Sequence, residues 1–227
     1  AAVAGAGAGP ADRGAVRPAD GAAVPDRHAN QRRDGPVLHP ADLASHRVIV
    51  QGLGEIDPDV PVLSEEGADI PYATRRQWAR YWLIDPLDGT REFVKRNGEF
   101  TVNIALIENG VPVTGVVHVP VSGISYVGQA GKGAWKIDSA GNAQPIGVQR
   151  RRRSTAKVAG SRSHAGDSLQ RFLERLGEHE IVSMGSSLKL CLVAEGTADI
   201  YPRLGPTSEW DTAAAQAVVE AAGGRVT

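Results

Sequence analysis

The sequence predicts an α+β protein with a layered architecture and two subdomains. Three observations favour this fold class. Short apolar runs that end at acids or at Gly and Asn dominate the first half of the chain, whereas such runs alternate with helical patterns in the second half. No repeated period occurs, which argues against a repeat protein. The length of 227 residues suits one large domain or two smaller ones that share an interface.

The composition excludes several classes of protein. Lys and Arg number 25 and Asp and Glu number 26, so the net charge of -1 offers no basic excess for binding nucleic acid. The single cysteine, Cys191, cannot form an intramolecular disulfide. No apolar run approaches the roughly 18 residues of a membrane helix, and no secretory signal is recognised. We therefore expect a cytoplasmic globular protein without an integral membrane segment; peripheral association with the inner membrane and the oligomeric state stay open.

Residues 1–36 carry little folding information. Ala, Gly, Pro, Arg and Asp make up most of this segment, and the first Leu is Leu38. Such a stretch has too little apolar surface to offset its ordering entropy. We expect a low-complexity, poorly ordered segment at 1–36 and a folded domain at 37–227, with a larger subdomain at about 37–150 and a smaller one at about 151–227. A shifted reading frame upstream of about Pro40 is one hypothesis for this composition.

Helix and strand signals follow one another from Pro40 onward. Pro40 opens a first helix, and Gly52 and Gly54 end it. Apolar runs and period-two alternation predict strands, two of them joined as a hairpin by Asn109-Gly110. The predicted strands are 60–63, 81–84, 100–107, 111–119, 124–127, 133–137 and 157–160. The predicted helices are 41–53, 167–176, 187–195 and 211–222.

The densest group of polar residues follows the strand at 81–84. Asp85 ends this strand, Pro86 directs the chain out of the sheet, and Asp88 follows three residues later. Two carboxylates on one turn can face a common point, and Mg²⁺ prefers such oxygen ligands together with phosphate and water. Gly89 lets the backbone approach a ligand closely, and Thr90 lies near a helix N-terminus, where hydroxyl and N–H groups can meet a phosphate. A turn without a ligand is the alternative interpretation.

Two further acids lie at the ends of predicted elements. Glu65 follows the strand at 60–63, and Asp211 directly precedes an Ala-rich helix. Asp211 taken singly could serve as a helix cap. Four acids at four element ends nevertheless suit a site in which two or three metal ions clamp a phosphate.

These segments resemble the signatures of the inositol-monophosphatase-like, lithium-sensitive, Mg²⁺-dependent phosphatases. The matching motifs are Leu63–Glu66, Asp85–Thr90 and Trp210–Ala214. Within that family, four further segments look like the CysQ branch, the 3′(2′),5′-bisphosphate nucleotidases; these segments are 95–103, 161–164, 185–189 and 201–206. The resemblance runs from about Ala41 to Thr227 and implies an αβαβα layered sandwich. Family chains begin with an amphipathic helix and continue beyond the equivalent of Thr227, so we expect an aberrant N-terminal segment and a shortened C-terminus here.

The resemblance also implies the ligands of two to three Mg²⁺ ions. Glu65, Asp85 and the Leu87 carbonyl would hold the first ion, and a third ion would share Glu65. Asp85, Asp88 and Asp211 would hold the second ion.

The implied reaction is direct hydrolysis of a phosphate ester by a metal-activated water. Glu65 and Thr90 would orient or deprotonate this water. Asp34 is the match for a further family acid that assists catalysis or orients the third metal.

The substrate implied by the resemblance is 3′-phosphoadenosine 5′-phosphate, whose 3′ phosphate is released to give AMP in a reaction linked to sulfate assimilation. Arg203 is the residue best suited to paired phosphate oxygens. The candidate substrate contacts are Gly89, Thr90, Ser161, His164, Ser187, Lys189, Arg203 and Asp211. An inositol- or sugar-phosphate monophosphatase and a catalytically impaired metal-binding remnant are the alternative functions.

Overall fold

The structure, a computed structural model, describes residues 2–6, 40–151, 153–160 and 167–227. The helices are α1 (Pro40–Ile56), α2 (Tyr72–Arg75), α3 (Thr90–Lys95), α4 (Asp167–Leu176), α5 (Leu188–Ala194) and α6 (Glu209–Ala221). The strands are β1 (Ala2–Ala6), β2 (Val62–Ser64), β3 (Arg80–Asp88), β4 (Thr101–Glu108), β5 (Val111–Val119), β6 (Ile124–Gln129), β7 (Gly133–Ile137), β8 (Ala143–Ile146), β9 (Ala156–Gly160), β10 (His179–Ser183), β11 (Ile200–Arg203) and β12 (Gly224–Val226). Among these helices, none has the length and apolarity that crossing a membrane would require.

A seven-stranded sheet has the order β2-β3-β4-β5-β6-β7-β8. Its edge strand β2 is parallel to β3, and every other neighbouring pair is antiparallel. The predicted hairpin is confirmed: β4 and β5 meet at Asn109 and Gly110, which have φ angles of 51° and 78°. Asn and Gly tolerate this left-handed region better than other residues. Strand β8 was not predicted, because it lies in a polar stretch.

A five-stranded sheet has the order β10-β9-β11-β1-β12. Strand β9 is parallel to both β10 and β11, and β1 pairs antiparallel with β11 and β12. The sequence analysis predicted only β9 in this sheet, because the other strands carry no clear apolar run. Strand β1 falls within the segment 1–36, and residues 7–39 lie outside the described part of the chain. The boundaries of the segment and of the two subdomains stay predictions.

Helices fill the space on both sides of the two sheets. Helix α1 packs on β3, α6 covers β3 to β6, α5 contacts both α6 and β9, and α4 packs on β11. The buried Leu83 belongs to the core under α6. The side chain of Ile84, the next residue of β3, points to the opposite face of the sheet, because successive side chains of a strand alternate. The order helix, sheet, helices, sheet, helix confirms the predicted αβαβα sandwich.

Helix α6 lies unusually close to the seven-stranded sheet. A Cβ atom at Gly115 would overlap the carbonyl oxygen of Ala214, and one at Gly128 would overlap Cα of Val218. The helix also presents small side chains to the sheet, among them the buried Ala213. Glycine in the strands and alanine in the helix therefore set the distance between the two layers.

Helix α5 is attached at its C-terminal end to the seven-stranded sheet. The carboxylate of Glu195, which caps this helix, accepts hydrogen bonds from the Tyr126 hydroxyl at 3.0 Å and from Lys136 Nζ at 2.7 Å. Tyr126 lies on β6 and Lys136 on β7. Glu195 thus connects the end of α5 with the seven-stranded sheet.

Candidate active site

Two parallel strands bring Glu65 and Asp85 together. Ser64 of β2 pairs with Ile84 of β3, and the Glu65 N–H extends this pairing by donating to the Ile84 carbonyl at 3.2 Å. The next residue of each strand is an acid, and register neighbours on adjacent strands point to the same face. The two carboxyl groups lie close enough for each to affect the pKa of the other. The prediction that an acid follows the strand at 60–63 is confirmed, whereas the prediction that Asp85 ends its strand is wrong, because β3 continues through Pro86 to Asp88.

An irregularity in β3 brings Asp88 to the same face as Asp85. Residues three apart on a regular strand point to opposite faces. Here Asp85 pairs with Asn103 and Asp88 pairs with Thr101, so β3 spans three positions where β4 spans two. This bulge, which includes Pro86, restores a common face for both carboxylates. That face is the one under α6, because Leu83 and Asp85 lie two positions apart.

Asp211 reaches the site from the first turn of α6. Ser208 is the N-cap of this helix, and Asp211 is the third helical residue. The Asp211 Oδ2 atom accepts hydrogen bonds from the Ser208 N–H at 3.0 Å and from the Thr207 hydroxyl at 2.8 Å. Asp211 therefore does stabilise the helix start, although not as the N-cap residue itself, and only one of its oxygens is used in this way.

The four acids repel one another in a largely buried environment. Burial, with repulsion from Asp211 and Glu66 next in weight, raises the pKa of Glu65 from 4.5 to about 7. Burial and then the neighbouring Asp88 and Glu65 raise the pKa of Asp85 well above 3.8.

The pKa of Asp88 is also displaced upward. Burial is the largest cause and repulsion from Asp211 the next, and together they raise this pKa from 3.8 to about 6, although Lys189 and the Ser187 N–H lower it. A cluster of this kind needs either protons or cations to be stable at neutral pH.

The donor set fits a hard divalent cation. All four groups are carboxylates, and Mg²⁺ is commonly held by one or two carboxylates together with water and phosphate oxygens. Within the described ranges, no three Asp, Glu, His or Cys side chains already converge as ligands of one ion. The capping bonds of Asp211 account for part of this, because they hold one of its oxygens at the helix start. The implied ligand sets of two to three ions stay predictions.

The turn after β3 has the backbone that the phosphate-site prediction requires. The Leu87 N–H donates to Asp85 Oδ1 at 3.0 Å and fixes that carboxylate. Gly89 has a φ of 96° and precedes α3, whose first residue is Thr90. A Cβ atom at Gly89 would approach Ser186 to 3.4 Å and would force this φ on an L side chain. The predicted helix start at Thr90 is confirmed, whereas its contact with phosphate stays a prediction.

Three of the predicted substrate contacts lie on the side of the five-stranded sheet. Ser187 and Lys189 are buried at the start of α5, and both side chains have partners inside the protein. Lys189 Nζ donates to the carbonyls of Ser186 at 2.6 Å and Met184 at 3.4 Å. Arg203 lies at the end of β11 and donates to the Pro206 carbonyl at 2.7 Å. Their contact with substrate stays a prediction.

Burial lowers the pKa of Lys189, while Asp88 raises it. The ammonium group lies 5.4 Å from the centre of the Tyr201 ring. Lys189 therefore supplies a buried positive charge beside the four acids. The remaining predicted residues, Asp34, Ser161 and His164, lie outside the described part of the chain.

Sequence analysis missed two buried polar residues of the site, Thr101 and Asn103. They are 0% and 1% exposed and lie opposite Asp88 and Asp85 in the sheet. A signal was present, since both are polar at alternate positions of an otherwise apolar strand. Their partner Ser187 is far away in sequence, so the reason for their polarity was not visible.

The comparisons with known proteins now decide the family. The Inositol monophosphatase family model matches residues 9–227. The chain belongs to the inositol monophosphatase family. The match begins inside the segment 1–36, where Asp34 is the predicted family residue, and so extends further towards the N-terminus than the resemblance from about Ala41. Members of this family are metal-dependent phosphatases.

Curated relatives and solved structures agree with this assignment. The chain is 54% identical over 205 residues to the 3′(2′),5′-bisphosphate nucleotidase CysQ of Salmonella typhimurium, covering 90% of this chain and 80% of that protein. A crystal structure of CysQ from Bacteroides thetaiotaomicron matches with a TM-score of 0.73 and 44% identity, over 80% of this chain and 72% of that one. Inositol monophosphatase from Anabaena matches with a TM-score of 0.68 and 30% identity, over 81% and 72%.

Proposed function

We propose that this protein is a 3′(2′),5′-bisphosphate nucleotidase that hydrolyses the 3′ phosphate of 3′-phosphoadenosine 5′-phosphate to give AMP and phosphate. The observation that carries the proposal is the common face shared by Glu65, Asp85, Asp88 and Asp211, with Lys189 and Arg203 approaching from the other sheet. The relatives named as this nucleotidase support the choice of substrate within the family. The reaction is the one linked to sulfate assimilation.

The four acids would hold two to three Mg²⁺ ions. Glu65, Asp85 and the Leu87 carbonyl would hold one ion, Asp85, Asp88 and Asp211 another, and a third would share Glu65. Bound Mg²⁺ lowers the pKa of a water and stabilises the charge on the phosphate and on the leaving oxygen. The pKa values of Glu65, Asp85 and Asp88 are raised, so binding of a cation would stabilise the charged forms that burial disfavours.

The residues of the chain have distinct tasks in this reaction. Glu65 orients the attacking water and accepts its proton. The Thr90 hydroxyl orients the same water. The N–H groups of Gly89 and Thr90 bind phosphate oxygens, since Gly89 keeps this turn open on the side of the site. The water attacks phosphorus directly, and the ribose oxygen leaves, so no covalent enzyme intermediate forms.

Arg203 is the residue to which we assign the second phosphate of the substrate. Its guanidinium group uses one nitrogen for the Pro206 carbonyl, and the fork geometry of Arg leaves further donors for paired phosphate oxygens. Ser161 and His164 belong to the same predicted set of nucleotide contacts. A cytoplasmic location is part of the proposal.

Phosphate release tests this function. Purified protein is assayed with 3′-phosphoadenosine 5′-phosphate, inositol 1-phosphate and fructose 1,6-bisphosphate, each with Mg²⁺, without Mg²⁺ and with added Li⁺. We expect Mg²⁺-dependent, Li⁺-inhibited release with kcat/KM at least about tenfold higher for the nucleotide, the ratio that a charge-assisted contact to the second phosphate would provide. Glu65→Gln is the matched inactive control, and Glu108→Gln, a partly exposed acid that pairs with Arg80 near the turn of the β4–β5 hairpin, is the active control.

Two results would overturn the proposal. Preference for inositol 1-phosphate would indicate a monophosphatase of the same family. Mg²⁺ binding without hydrolysis of any of the three substrates would indicate a metal-binding protein that has lost turnover.

A further inference from the structure

A buried chain of hydrogen bonds connects the five-stranded side of the molecule with Asp88. Ser187 Oγ lies 2.9 Å from Thr101 Oγ1 and 2.8 Å from Asn103 Oδ1. The Ser187 N–H donates to Asp88 Oδ2 at 2.6 Å, and Asn103 Nδ2 lies 3.5 Å from the same oxygen. Thr101, Asn103 and Ser187 are 0%, 1% and 4% exposed, so none of these contacts is made on the surface.

The number of hydroxyl protons fixes the direction of these hydrogen bonds. Each hydroxyl has a single proton, and the Ser187 hydroxyl donates its proton to the Asn103 carbonyl oxygen. The 2.9 Å hydrogen bond between Thr101 and Ser187 must then use the Thr101 proton. No proton is left for the longer contact of 3.4 Å between Thr101 and Asp88. The chain therefore runs from Thr101 to Ser187, from Ser187 to Asn103, and from Asn103 to Asp88.

The same order fixes the amide of Asn103. If its oxygen and nitrogen were exchanged, the oxygen would face the Asp88 carboxylate and the nitrogen would face a hydroxyl that donates elsewhere. The amide nitrogen could still donate to the Ser187 oxygen, but the amide oxygen would face the Asp88 carboxylate and repel it. Burying these three polar groups is unfavourable unless all are satisfied, and the arrangement described satisfies them without placing an acceptor against Asp88.

The network occupies one oxygen of Asp88. Both donors reach Oδ2, whereas Oδ1 receives no hydrogen bond from any other residue in the described ranges. A carboxylate held in this way keeps one oxygen directed away from the network. Lys189 supports the same geometry, because its ammonium group binds the Ser186 carbonyl at 2.6 Å in a turn where Ser186 has a φ of 45°.

We infer that Thr101, Asn103 and Ser187 are positioning residues that orient Asp88, so that the five-stranded side of the molecule controls one of the metal-binding acids. The inference rests on the proposed function only in so far as Asp88 binds a divalent cation. It gives Ser187 a role different from the substrate contact that the sequence suggests. A contact with substrate would change KM, whereas orientation of Asp88 changes the affinity for Mg²⁺ and kcat.

The test compares Ser187→Ala, Thr101→Val and the double variant. The midpoint of the thermal stabilisation produced by Mg²⁺ is measured without substrate, and kcat and KM are measured at saturating Mg²⁺. We expect Ser187→Ala to raise the Mg²⁺ midpoint about tenfold, as loss of a residue that orients a metal ligand does. Thr101→Val should raise it about threefold, the effect of one neutral hydrogen bond.

The double variant provides the sharpest outcome. The Thr101 hydroxyl lies 3.4 Å from Asp88 but 2.9 Å from Ser187, which uses its proton, so the double variant should lie closer to Ser187→Ala alone than to the product of both effects. Thr101→Ser keeps the hydroxyl and should restore the wild-type midpoint to within about twofold. Thr114→Val and Ser139→Ala, which make the same chemical changes away from the site, should leave the midpoint unchanged.

Three results would overturn the inference. These are an increase in KM with an unchanged Mg²⁺ midpoint, a lower melting temperature with an unchanged midpoint, and independent multiplication of the two single effects. The thermal midpoint does not depend on the substrate, so a failure of the proposed nucleotidase activity would leave this test intact.

Discussion

The two sheets contribute to the site in different ways. In the seven-stranded sheet, the backbone around each acid fixes its position: a strand end for Glu65 and a bulge for Asp85 and Asp88. On the five-stranded side, Ser187 lies directly before α5 and donates to Asp88, 99 residues earlier in the chain. The first region is therefore built from local structure, whereas the second depends on the assembly of the whole fold.

The largest expected effect concerns the locally built region. Asp85→Asn removes the charge at the centre of the acid cluster while preserving its shape, and kcat/KM for phosphate release should fall about 10²–10³-fold, because several kcal/mol of transition-state stabilisation are lost. Asp59→Asn, an exposed acid, is the control and should leave the rate unchanged. More than a tenth of the wild-type rate in Asp85→Asn would contradict a central role for this acid.

The contact between α6 and the seven-stranded sheet links the two regions, and Gly115→Ala tests it. The added methyl group would overlap the Ala214 carbonyl, so the helix that carries Asp211 must shift. We expect a loss of about 1–3 kcal/mol in the free energy of unfolding and a melting temperature lower by roughly 2–4 °C for each kcal/mol. Differential scanning calorimetry measures this change. Gly147→Ala, whose Cβ would make only an ordinary contact, should melt like the wild type.

The stability of the metal-free protein should depend on pH through the acids of the seven-stranded sheet. The folded-state pKa values of Glu65 and Asp88, about 7 and about 6, lie above the ordinary values of 4.5 and 3.8. The stabilisation from their protonated forms is therefore complete below about pH 4 and is lost as the pH rises to 7. We expect stability to fall by several kcal/mol over this range and Mg²⁺ to restore more stability at pH 8 than at pH 5.

Glu65→Gln provides the matched control for this titration. The variant cannot ionise at this position, so its metal-free melting temperature should depend less on pH than that of the wild type. Identical pH profiles for the two proteins would show that the carboxylate of Glu65 does not destabilise the metal-free fold.

The smallest expected effect concerns the five-stranded side. Arg203→Met should raise KM for 3′-phosphoadenosine 5′-phosphate about tenfold, because a charge-assisted contact with the second phosphate is lost. The KM for a substrate with one phosphate, such as inositol 1-phosphate, should change less than about threefold. Equal effects on both substrates would assign Arg203 to the scissile phosphate and would remove the distinction between the regions.

The sequence predicted the locally determined parts of the molecule. Asp88-Gly89 carries its own turn signal, and the alternation of β4 and β5 specifies a hairpin, whereas Asp85-Pro86 forms a bulge inside β3 rather than the predicted exit from the sheet. The resemblance to a known family then supplied the layered sandwich. The register of β2 against β3, which joins Glu65 to Asp85, was not derivable from either strand alone, because parallel pairing leaves no local signal.

The parts that sequence analysis missed depend on distant partners or on weak apolar patterns. Strands β8 and β10 are short and largely exposed, so their residues carry no core-facing period. Asn103 is polar in the core because Ser187, 84 residues later, needs an acceptor. Such a reason exists only in the folded chain, and a single sequence does not show it.

The two attachments of α5 limit how the molecule can open. Ser187, directly before this helix, is bonded to Asp88 and Asn103, and Glu195, directly after it, is bonded to Tyr126 and Lys136. A helix of seven residues is thus fastened at both ends to the opposite sheet. Movement of α5 away from the seven-stranded sheet would break both attachments at once, so the helix and that sheet move as one body.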